Sequence, residues 1–449
     1  MRAFSVKETA RAVLVVACVA GCVQVTSTEG DERVERYSKI NNILLKGIQN
    51  VQRTFRRRWD RFRRQESNEI ETTSTKQSTD EIVSDEGYPA ETHSVITPDG
   101  YILTLHRIPH GRDDEMETKR PVVLIMHGIL CSSTDWVITG VNESLGFVLA
   151  DAGYDVWLGN VRGNTYSRKH LTFDPARTPR KFWNFSWHEM GVYDLPAMID
   201  YVLNVTEQDS LSYVGHSMGT TMFYVLCSMR PEYNAKVRVM FSLAPVAFLN
   251  HVRSPIIRLL SSISDPLAWL CNTLGYYEFL PSSQFLSLLD QVVCQQGTVG
   301  QGICNNALFL IAGYDTAQLN KTFLPVILAH TPAGASSKTL THFAQSMQKP
   351  LSFSQYDYGW YANWQVYKNV APPNYNLQKI QVPIVIFHSQ NDWMSSPKDV
   401  STLAERLPNL IGKFKVPLPT FNHLDFMWAA NARTLIYDRI VQVLGKYNN

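Results

Sequence analysis

The sequence lacks an excess of charge of either sign. Its 449 residues contain 42 Lys and Arg against 40 Asp and Glu, which leaves a net charge of +2. This balance offers no broad electrostatic field for nucleic acid or for an acidic polymer. We therefore expect no nucleic-acid partner and a substrate that is not selected by its charge.

Long hydrophobic runs are also missing. A helix needs about 20 apolar residues to cross a bilayer, and no stretch reaches that length, so we expect no transmembrane span. The short apolar run Ala12–Ala20 follows three basic residues and precedes small ones. This pattern predicts a signal peptide over residues 1–25 rather than a buried helix, and hence a secreted or lysosomal protein. A bacterial lipoprotein cleavage site before Cys22 is a less favoured alternative.

Cysteines are few, and two of the seven lie in or beside the predicted signal peptide. The remaining five are an odd number, so at least one thiol stays free. Cys294 and Cys304 enclose a short loop with two glycines, which makes them the best candidates for a disulfide in an oxidising compartment. Four N-glycosylation tripeptides agree with a secretory route. They begin at Asn142, Asn184, Asn204 and Asn320.

Residues 26–79 differ in composition from the rest of the chain. Arginines crowd between residues 53 and 64, and a Ser/Thr/Glu-rich stretch follows them. Apolar residues at helical spacing would form a stripe on a basic helix, which could lie on an anionic membrane. A solvated helix in a propeptide or a disordered linker is the favoured interpretation. Arg61-Phe62-Arg63-Arg64 resembles a proprotein-convertase site, so a processing protease could cut at Arg64.

From residue 80 onward, short apolar runs alternate with helix-like stretches. This rhythm is typical of βαβ units and predicts an α/β fold with a mostly parallel sheet. The rhythm is interrupted over 249–380, which is rich in Leu, Phe and Tyr. We interpret this part as a helical cap with a lid, inserted between core parts at 80–248 and 381–449; a second independent domain is the alternative. Predicted strands are 101–107, 122–126, 155–158, 211–214, 237–243 and 384–387, and predicted helices include 218–229 and 398–407.

A strand, a tight turn and an apolar helix surround Gly215-His216-Ser217-Met218-Gly219. In such a strained, close-packed turn, side chains at Gly215 and Gly219 would clash, while the serine hydroxyl is lifted clear of the backbone. Ser217 is therefore the predicted nucleophile.

A serine hydroxyl needs an imidazole to remove its proton and a carboxylate to orient that imidazole. In this fold the chain order is serine, acid, histidine. Asp392 follows the apolar run 382–387, at the end of a predicted strand, and His423 is the only one of twelve histidines beyond it. The order therefore selects both residues. Taken singly, Asp392 could be a turn carboxylate, and His423 a loop histidine bonded to Asp425.

Acyl transfer also requires hydrogen-bond donors that stabilise the negative charge developing on the substrate carbonyl oxygen. The backbone N–H of Met218, at the start of the helix, is one predicted donor. The second is the backbone N–H of Ile129, in the loop after an early strand. His127 in the same loop is interpreted as a structural residue.

Beyond these motifs, the sequence resembles the acid lipase family, which includes gastric and lysosomal acid lipases, across nearly all of residues 80–449. The similar stretches include 87–89, 99–103, 127–136, 149–164, 193–197, 215–221, 305–309 and 422–426. The resemblance implies a triacylglycerol or steryl ester substrate, a mobile lid and a disulfide matching Cys294–Cys304. The sequence departs from the family at Met218, where Gln is usual, and at Ser389-Gln390, where a glycine pair is usual.

The predicted activity is hydrolysis of neutral lipid esters through an acyl-enzyme, at a lipid–water interface. Neither a metal nor an organic cofactor is required for this chemistry. Two alternatives remain open: a carboxylesterase or acyl amidase for short soluble substrates, and a non-catalytic lipid-binding relative. Retention of Ser217 with both partners argues against the last.

Overall fold

The computed structural model describes residues 77–113, 119–262, 275–279, 309–315, 317–318 and 323–447. The predicted signal peptide, the basic segment up to Lys76, the Cys294–Cys304 pair and Asn320 lie outside these residues. Among the helices of the described ranges, none combines the length and apolarity that a bilayer span requires. Gln77–Asn449 form one compact unit. The boundaries of the core parts and of the cap stay predictions.

A mixed sheet organises the described residues. Its strand order is β1-β2-β4-β3-β6-β7-β10-β11, with β5 beside β2, and a separate ribbon pairs β8 with β9. Pairing is antiparallel around β2 and parallel from β4 through β11. The strands are β1 Glu91–Ile96, β2 Tyr101–Ile108, β3 Val122–Met126, β4 Asp155–Gly159, β5 Lys169–His170, β6 Leu211–His216, β7 Val237–Leu243, β8 Glu278–Phe279, β9 Ala335–Ser336, β10 Ile384–His388 and β11 Leu410–Lys415.

Helices connect the strands and also lie within the range of the predicted insertion. They are α1 Thr79–Asp85, α2 Leu145–Asp151, α3 Pro179–Phe182, α4 Trp187–Glu189, α5 Leu195–Thr206, α6 Met218–Met229, α7 Pro255–Ser262, α8 Leu324–His330, α9 Ser337–Gln348, α10 Trp360–Tyr367, α11 Pro397–Ala404, α12 Asp425–Trp428 and α13 Asp438–Tyr447. Short 3₁₀ and π turns lie at Ser133–Trp136, Met190–Asp194, Pro231–Lys236, Leu377–Lys379 and Arg433–Tyr437.

The predicted strands agree with the structure to within two residues at each end. The structure also contains strands that were not predicted, among them the edge strand β11. The burial of β11 alternates along its length, whereas β3, β4 and β10 are buried throughout. Central parallel strands are covered by helices on both faces and therefore read as continuous apolar runs. An edge strand with polar residues lacks that signal.

The registers align the carboxyl ends of the central strands. Met126 of β3 pairs with Gly215 of β6, and Leu243 of β7 pairs with Phe387 of β10. Because these strands are parallel, the loops that follow them leave the sheet at the same edge, where α/β proteins place their sites. These loops carry the predicted nucleophile, the predicted acid and one predicted N–H donor.

A buried ion pair joins the loop after β4 to the sheet and to α5. Arg162 is 1% exposed, and its guanidinium bonds to Asp194, which is fully buried, and to Asp99. The guanidinium also lies 4.0 Å from the centre of the Tyr101 ring. Such a pair matters to stability chiefly because removal of one partner leaves the other charge buried without compensation.

We predict that Arg162→Met lowers the free energy of unfolding by about 3–5 kcal/mol, because the Asp194 carboxylate loses its counter-charge inside the protein. Urea unfolding measures this change. The double variant Arg162→Met/Asp194→Asn is the control, and it should recover a large part of the loss because the fully buried charge is removed, while the remaining partner Asp99 is partly exposed. Equal stability of the single and double variants would contradict the argument.

Candidate active site

Ser217 occupies the turn between β6 and α6 in a strained backbone conformation, with φ 51° and ψ −116°. Its N–H donates to the carbonyl oxygen of Leu243 at 3.0 Å. A Cβ added at Gly215 would lie 2.8 Å from the carbonyl carbon of Gly219, and one at Gly219 would lie 2.6 Å from the Met126 carbonyl oxygen. The two glycines therefore allow the turn to pack against β3, as the sequence pattern predicts.

The structure brings the three predicted side chains together. His423 Nε2 lies 2.9 Å from Ser217 Oγ, and His423 Nδ1 lies 2.8 Å from Asp392 Oδ2. A carboxylate can only accept, so Nδ1–H donates to Asp392 and Nε2 is left to accept the serine proton. All three residues are at most 4% exposed. An imidazole in this geometry can activate the hydroxyl as a nucleophile.

Asp392 is held by the backbone that follows it. Its Oδ1 accepts hydrogen bonds from the N–H groups of Met394 at 2.9 Å and Ser395 at 2.6 Å, while Oδ2 faces His423. This turn fixes the carboxylate in one orientation. The turn interpretation of Asp392 is thus correct in its geometry, but the same carboxylate also reaches the imidazole. His423 does not bond to Asp425, which instead accepts from the Asn422 N–H at 2.6 Å.

The two predicted backbone donors lie beside the serine. Met218 is the first residue of α6, and Ile129 follows Gly128, at which an added Cβ would be 3.2 Å from Ser217 Cβ. Neither N–H has an acceptor within the described ranges. Met218 N–H belongs to the positive end of a 12-residue helix. Both groups are thus available to an oxygen that carries developing negative charge.

Two neutral histidines support this arrangement. His216 donates from Nε2 to the carbonyl oxygen of His423 at 2.9 Å, and burial, with the nearby His423, holds its pKa well below 6.5. His127 donates from Nδ1 to the Gly128 carbonyl oxygen and accepts at Nε2 from Val161 N–H. Burial lowers the pKa of His127 to about 4. The hydrogen bonds of His127 are consistent with the structural role predicted for it.

A segment within the predicted insertion, Ala312–Tyr314, touches both loops of the site, and sequence analysis did not single it out. The Ala312 carbonyl oxygen accepts from Trp393 N–H at 3.1 Å and from His423 N–H at 3.4 Å. Gly313, at φ +119°, packs so closely on Asn391 that a Cβ there would meet the Asn391 carbonyl oxygen at 2.1 Å. The Asn391 side chain in turn donates to Tyr314 O. Ala312–Tyr314 therefore tie the acid loop to the histidine loop.

A pair of buried carboxyl groups lies behind the histidine loop. Burial and the facing Asp315 raise the pKa of Asp425 well above 3.8, and Asp392 adds to the rise. Within the described residues, no hydrogen-bond donor reaches the buried Asp315 Oδ2. The raised pKa of Asp425 favours a protonated carboxyl group that can donate to Asp315. Sequence pattern alone contains no signal for this pair, because residues 315 and 425 belong to distant segments.

The structure gives the exposure of several other residues named in the sequence analysis. Asn142, Asn184 and Asn204 are exposed, so a glycosylating enzyme could reach them. Cys131 and Cys227 are buried free thiols. Within the described ranges, no cluster of three His, Cys, Asp or Glu side chains is arranged to hold a metal ion.

Gly219→Ala should lower the free energy of unfolding by about 3 kcal/mol, because its Cβ would be forced against the backbone of β3. Gly445→Ala is the matched control: Gly445 lies in α13 with no atom within 4 Å of an added Cβ. That substitution should stabilise by about 0.5–1 kcal/mol through helix propensity. Urea unfolding compares the two, and equal effects would refute the packing argument.

Asp425→Asn should flatten the dependence of stability on pH. Because the folded pKa of Asp425 is raised, its stabilising contribution is complete below pH 3.8 and is lost as pH rises through the folded pKa. The loss amounts to about 1.4 kcal/mol for each pH unit of that window. The amide keeps a donor toward Asp315 at every pH. Melting temperatures from pH 4 to 8 should therefore converge at acid pH and favour the variant at neutral pH; parallel curves would contradict this.

Comparison with known proteins identifies the family. Residues 79–140 match the family described as a partial alpha/beta-hydrolase lipase region, and residues 121–265 match the alpha/beta hydrolase fold. A putative lipase from Acinetobacter baumannii, of known structure, superposes with a TM-score of 0.50 at 15% identity, covering 85% of this chain and 99% of that one. This likeness confirms the predicted fold class.

Full-length relatives are much more similar in sequence. Lipase 3 of Drosophila melanogaster is 43% identical, over 82% of this chain and 92% of the relative. The human lysosomal acid lipase/cholesteryl ester hydrolase is 40% identical over 83% and 92%, and the gastric triacylglycerol lipase of Bos taurus is 41% identical over 82% and 90%. The chain belongs to the acid lipase family of α/β-hydrolases.

Proposed function

We propose that the chain hydrolyses carboxylic ester bonds of neutral lipids, triacylglycerols or steryl esters, with Ser217 as nucleophile. The observation that carries the proposal is the continuous contact from the Ser217 hydroxyl through the His423 imidazole to the Asp392 carboxylate. The substrate class rests on the relatives, which are named for triacylglycerol and cholesteryl ester hydrolysis.

In the proposed acylation step, His423 Nε2 removes the proton of Ser217 as Oγ attacks the ester carbonyl carbon. The carbonyl oxygen becomes negatively charged and is bound by the N–H groups of Ile129 and Met218. His423 then donates the proton to the leaving alcohol, which departs and leaves an acyl-serine. Asp392 orients the imidazole and stabilises its positive charge.

Deacylation repeats the sequence with water. His423 takes a proton from the water, whose oxygen attacks the acyl carbon. The oxyanion forms again, and the return of the proton to Ser217 Oγ releases the fatty acid. No step requires a metal or an organic cofactor.

The proposed location is a secretory or lysosomal compartment. The relatives include lysosomal and gastric lipases, and three of the four predicted glycosylation sites are exposed. Glycosylation at Asn142, Asn184 and Asn204, the Cys294–Cys304 disulfide and cleavage after Arg64 all belong to this proposal.

Ser217→Ala should abolish labelling by a fluorophosphonate probe, because the probe requires an activated serine oxygen. Ser228→Ala is the matched control, since Ser228 is a buried serine of α6 whose hydroxyl has no partner within the described ranges. The control should label like the original chain. Asp392→Asn should retain the fold but lower kcat on the order of 10⁴-fold by removing the orienting charge. Equal labelling of all variants would contradict the assignment of Ser217 as the nucleophile.

Substrate comparison separates the proposed lipase from the soluble-ester alternative. Triolein and cholesteryl oleate emulsions should be hydrolysed in addition to tributyrin, because the insertion is apolar and holds ligands mainly by burying hydrocarbon. Hydrolysis confined to short soluble esters or amides would instead indicate an esterase or amidase. Absence of any Ser217-dependent hydrolysis would favour a non-catalytic lipid-binding protein.

A further inference from the structure

Helix α10 presents three of its four aromatic side chains to solvent, whereas Tyr367 is half-buried and donates to the Tyr356 carbonyl oxygen. Trp360 is 72% exposed, Tyr361 61% and Trp364 56%, whereas the buried residue of the helix is Asn363. A surface helix normally has the opposite arrangement, with its apolar stripe toward the core. We call Trp360, Tyr361 and Trp364 the aromatic patch. Their spacing of one, three and four residues places the three side chains on one side of the helix.

The aromatic patch is carried by a fixed scaffold rather than by a loose turn. Asn363 Nδ2 donates to Asp357 Oδ1 at 2.7 Å and to Val370 O at 2.9 Å, and its Oδ1 accepts from Tyr358 N–H at 2.9 Å. A single buried amide therefore joins the helix to the segments before and after it. Since the helix is held by polar contacts on its inner side, its aromatic rings are not needed there for packing.

Few charged residues lie near the aromatic patch in the sequence, and the nearest carboxylate, Asp357, is paired with Lys349. Residues 358–378 contain no carboxylate, and Lys368 is their only charged residue. Lys368 ends the helix in a left-handed conformation, with its N–H bonded to Trp364 O. Its ammonium group donates to the carbonyl oxygen of Gln365, the residue that follows Trp364, at 3.0 Å. Together the three rings offer on the order of 400 Å² of surface. This size is that of functional patches on soluble proteins rather than of scattered surface residues.

We propose that the aromatic patch anchors the protein on an anionic lipid–water interface, the surface from which the ester substrate is drawn. Trp and Tyr rings suit such an interface because each has an apolar body and a polar edge. Lys368 complements the negative charge that released fatty acids give to that interface. The inference rests on the proposed lipase function for the identity of the surface, and it assigns lipid binding to residues outside the Ser217 site.

Binding is measured with the full chain and vesicles of phosphatidylcholine, with and without oleic acid. The variant Trp360→Ser/Trp364→Ser should lose about a hundredfold in vesicle affinity, because burial of each large apolar side chain favours association about tenfold. Lys368→Gln should weaken binding about fivefold to oleate vesicles alone. Leu171→Ser is the matched control, since Leu171 is 61% exposed and lies near β5, outside the aromatic patch. It should bind like the original chain.

Hydrolysis of a soluble short-chain ester reports whether the variants are folded and active, and it should be unchanged. On emulsified triolein, the double variant should show a raised apparent KM with kcat unchanged. Vesicle binding by the double variant at the original strength would overturn the proposal. So would a change from dimer to monomer with vesicle binding unaltered, because the aromatic patch would then cover a second copy. Failure of the proposed function is a separate result, since the original chain would then not hydrolyse emulsified triolein, whatever its affinity for vesicles.

Discussion

The close approach of α6 to β3 is the constraint on which the site depends. Because Gly219 has no side chain, the helix can begin against the Met126 carbonyl, and the chain can turn sharply enough to hold Ser217 at positive φ. The parallel registers then bring the ends of β3, β7 and β10 to the same level as that turn. The nucleophile, the acid and the backbone donors are therefore arranged by backbone packing before any side-chain contact is made.

Residues of the predicted insertion contribute to this arrangement. The Ala312 carbonyl bonds to the backbone on both sides of the acid–imidazole contact, and Gly313 packs on Asn391 without room for a side chain. The Leu130 carbonyl, next to a predicted donor, accepts from Ala333 of the same insertion. A movement of the insertion therefore acts on the acid, the histidine and the N–H donor together. This coupling gives a physical reason for the insertion and the core to form one compact unit.

Much of this site can be predicted from sequence because its determinants are local. Ser217 is marked by glycines within two residues, Asp392 by the apolar strand before it, and His423 by its position in the chain order. The central strands can be predicted for a similar reason, since each is a short uninterrupted apolar run. Sequence pattern does not predict the contacts of Ala312 with the acid and histidine loops, the Asp315–Asp425 pair or the hydrogen bonds of Asn363. Each depends on contacts between segments far apart in sequence, and the residue types involved are ordinary in loops.

Burial keeps several titratable groups around the site uncharged. His216 and His127 hold pKa values below the usual histidine range, because burial penalises their charged forms. They stay neutral in mild acid and keep their hydrogen bonds to the His423 and Gly128 carbonyl oxygens. The pKa of Asp425 is raised instead, so Asp425 keeps its proton under the same conditions. That proton gives Asp315 a hydrogen-bond donor. Burial thus favours the neutral form of His216, His127 and Asp425 alike. In their neutral forms His216 and His127 each donate to a backbone carbonyl oxygen, that of His423 and that of Gly128, and these two bonds hold the loops beside Ser217.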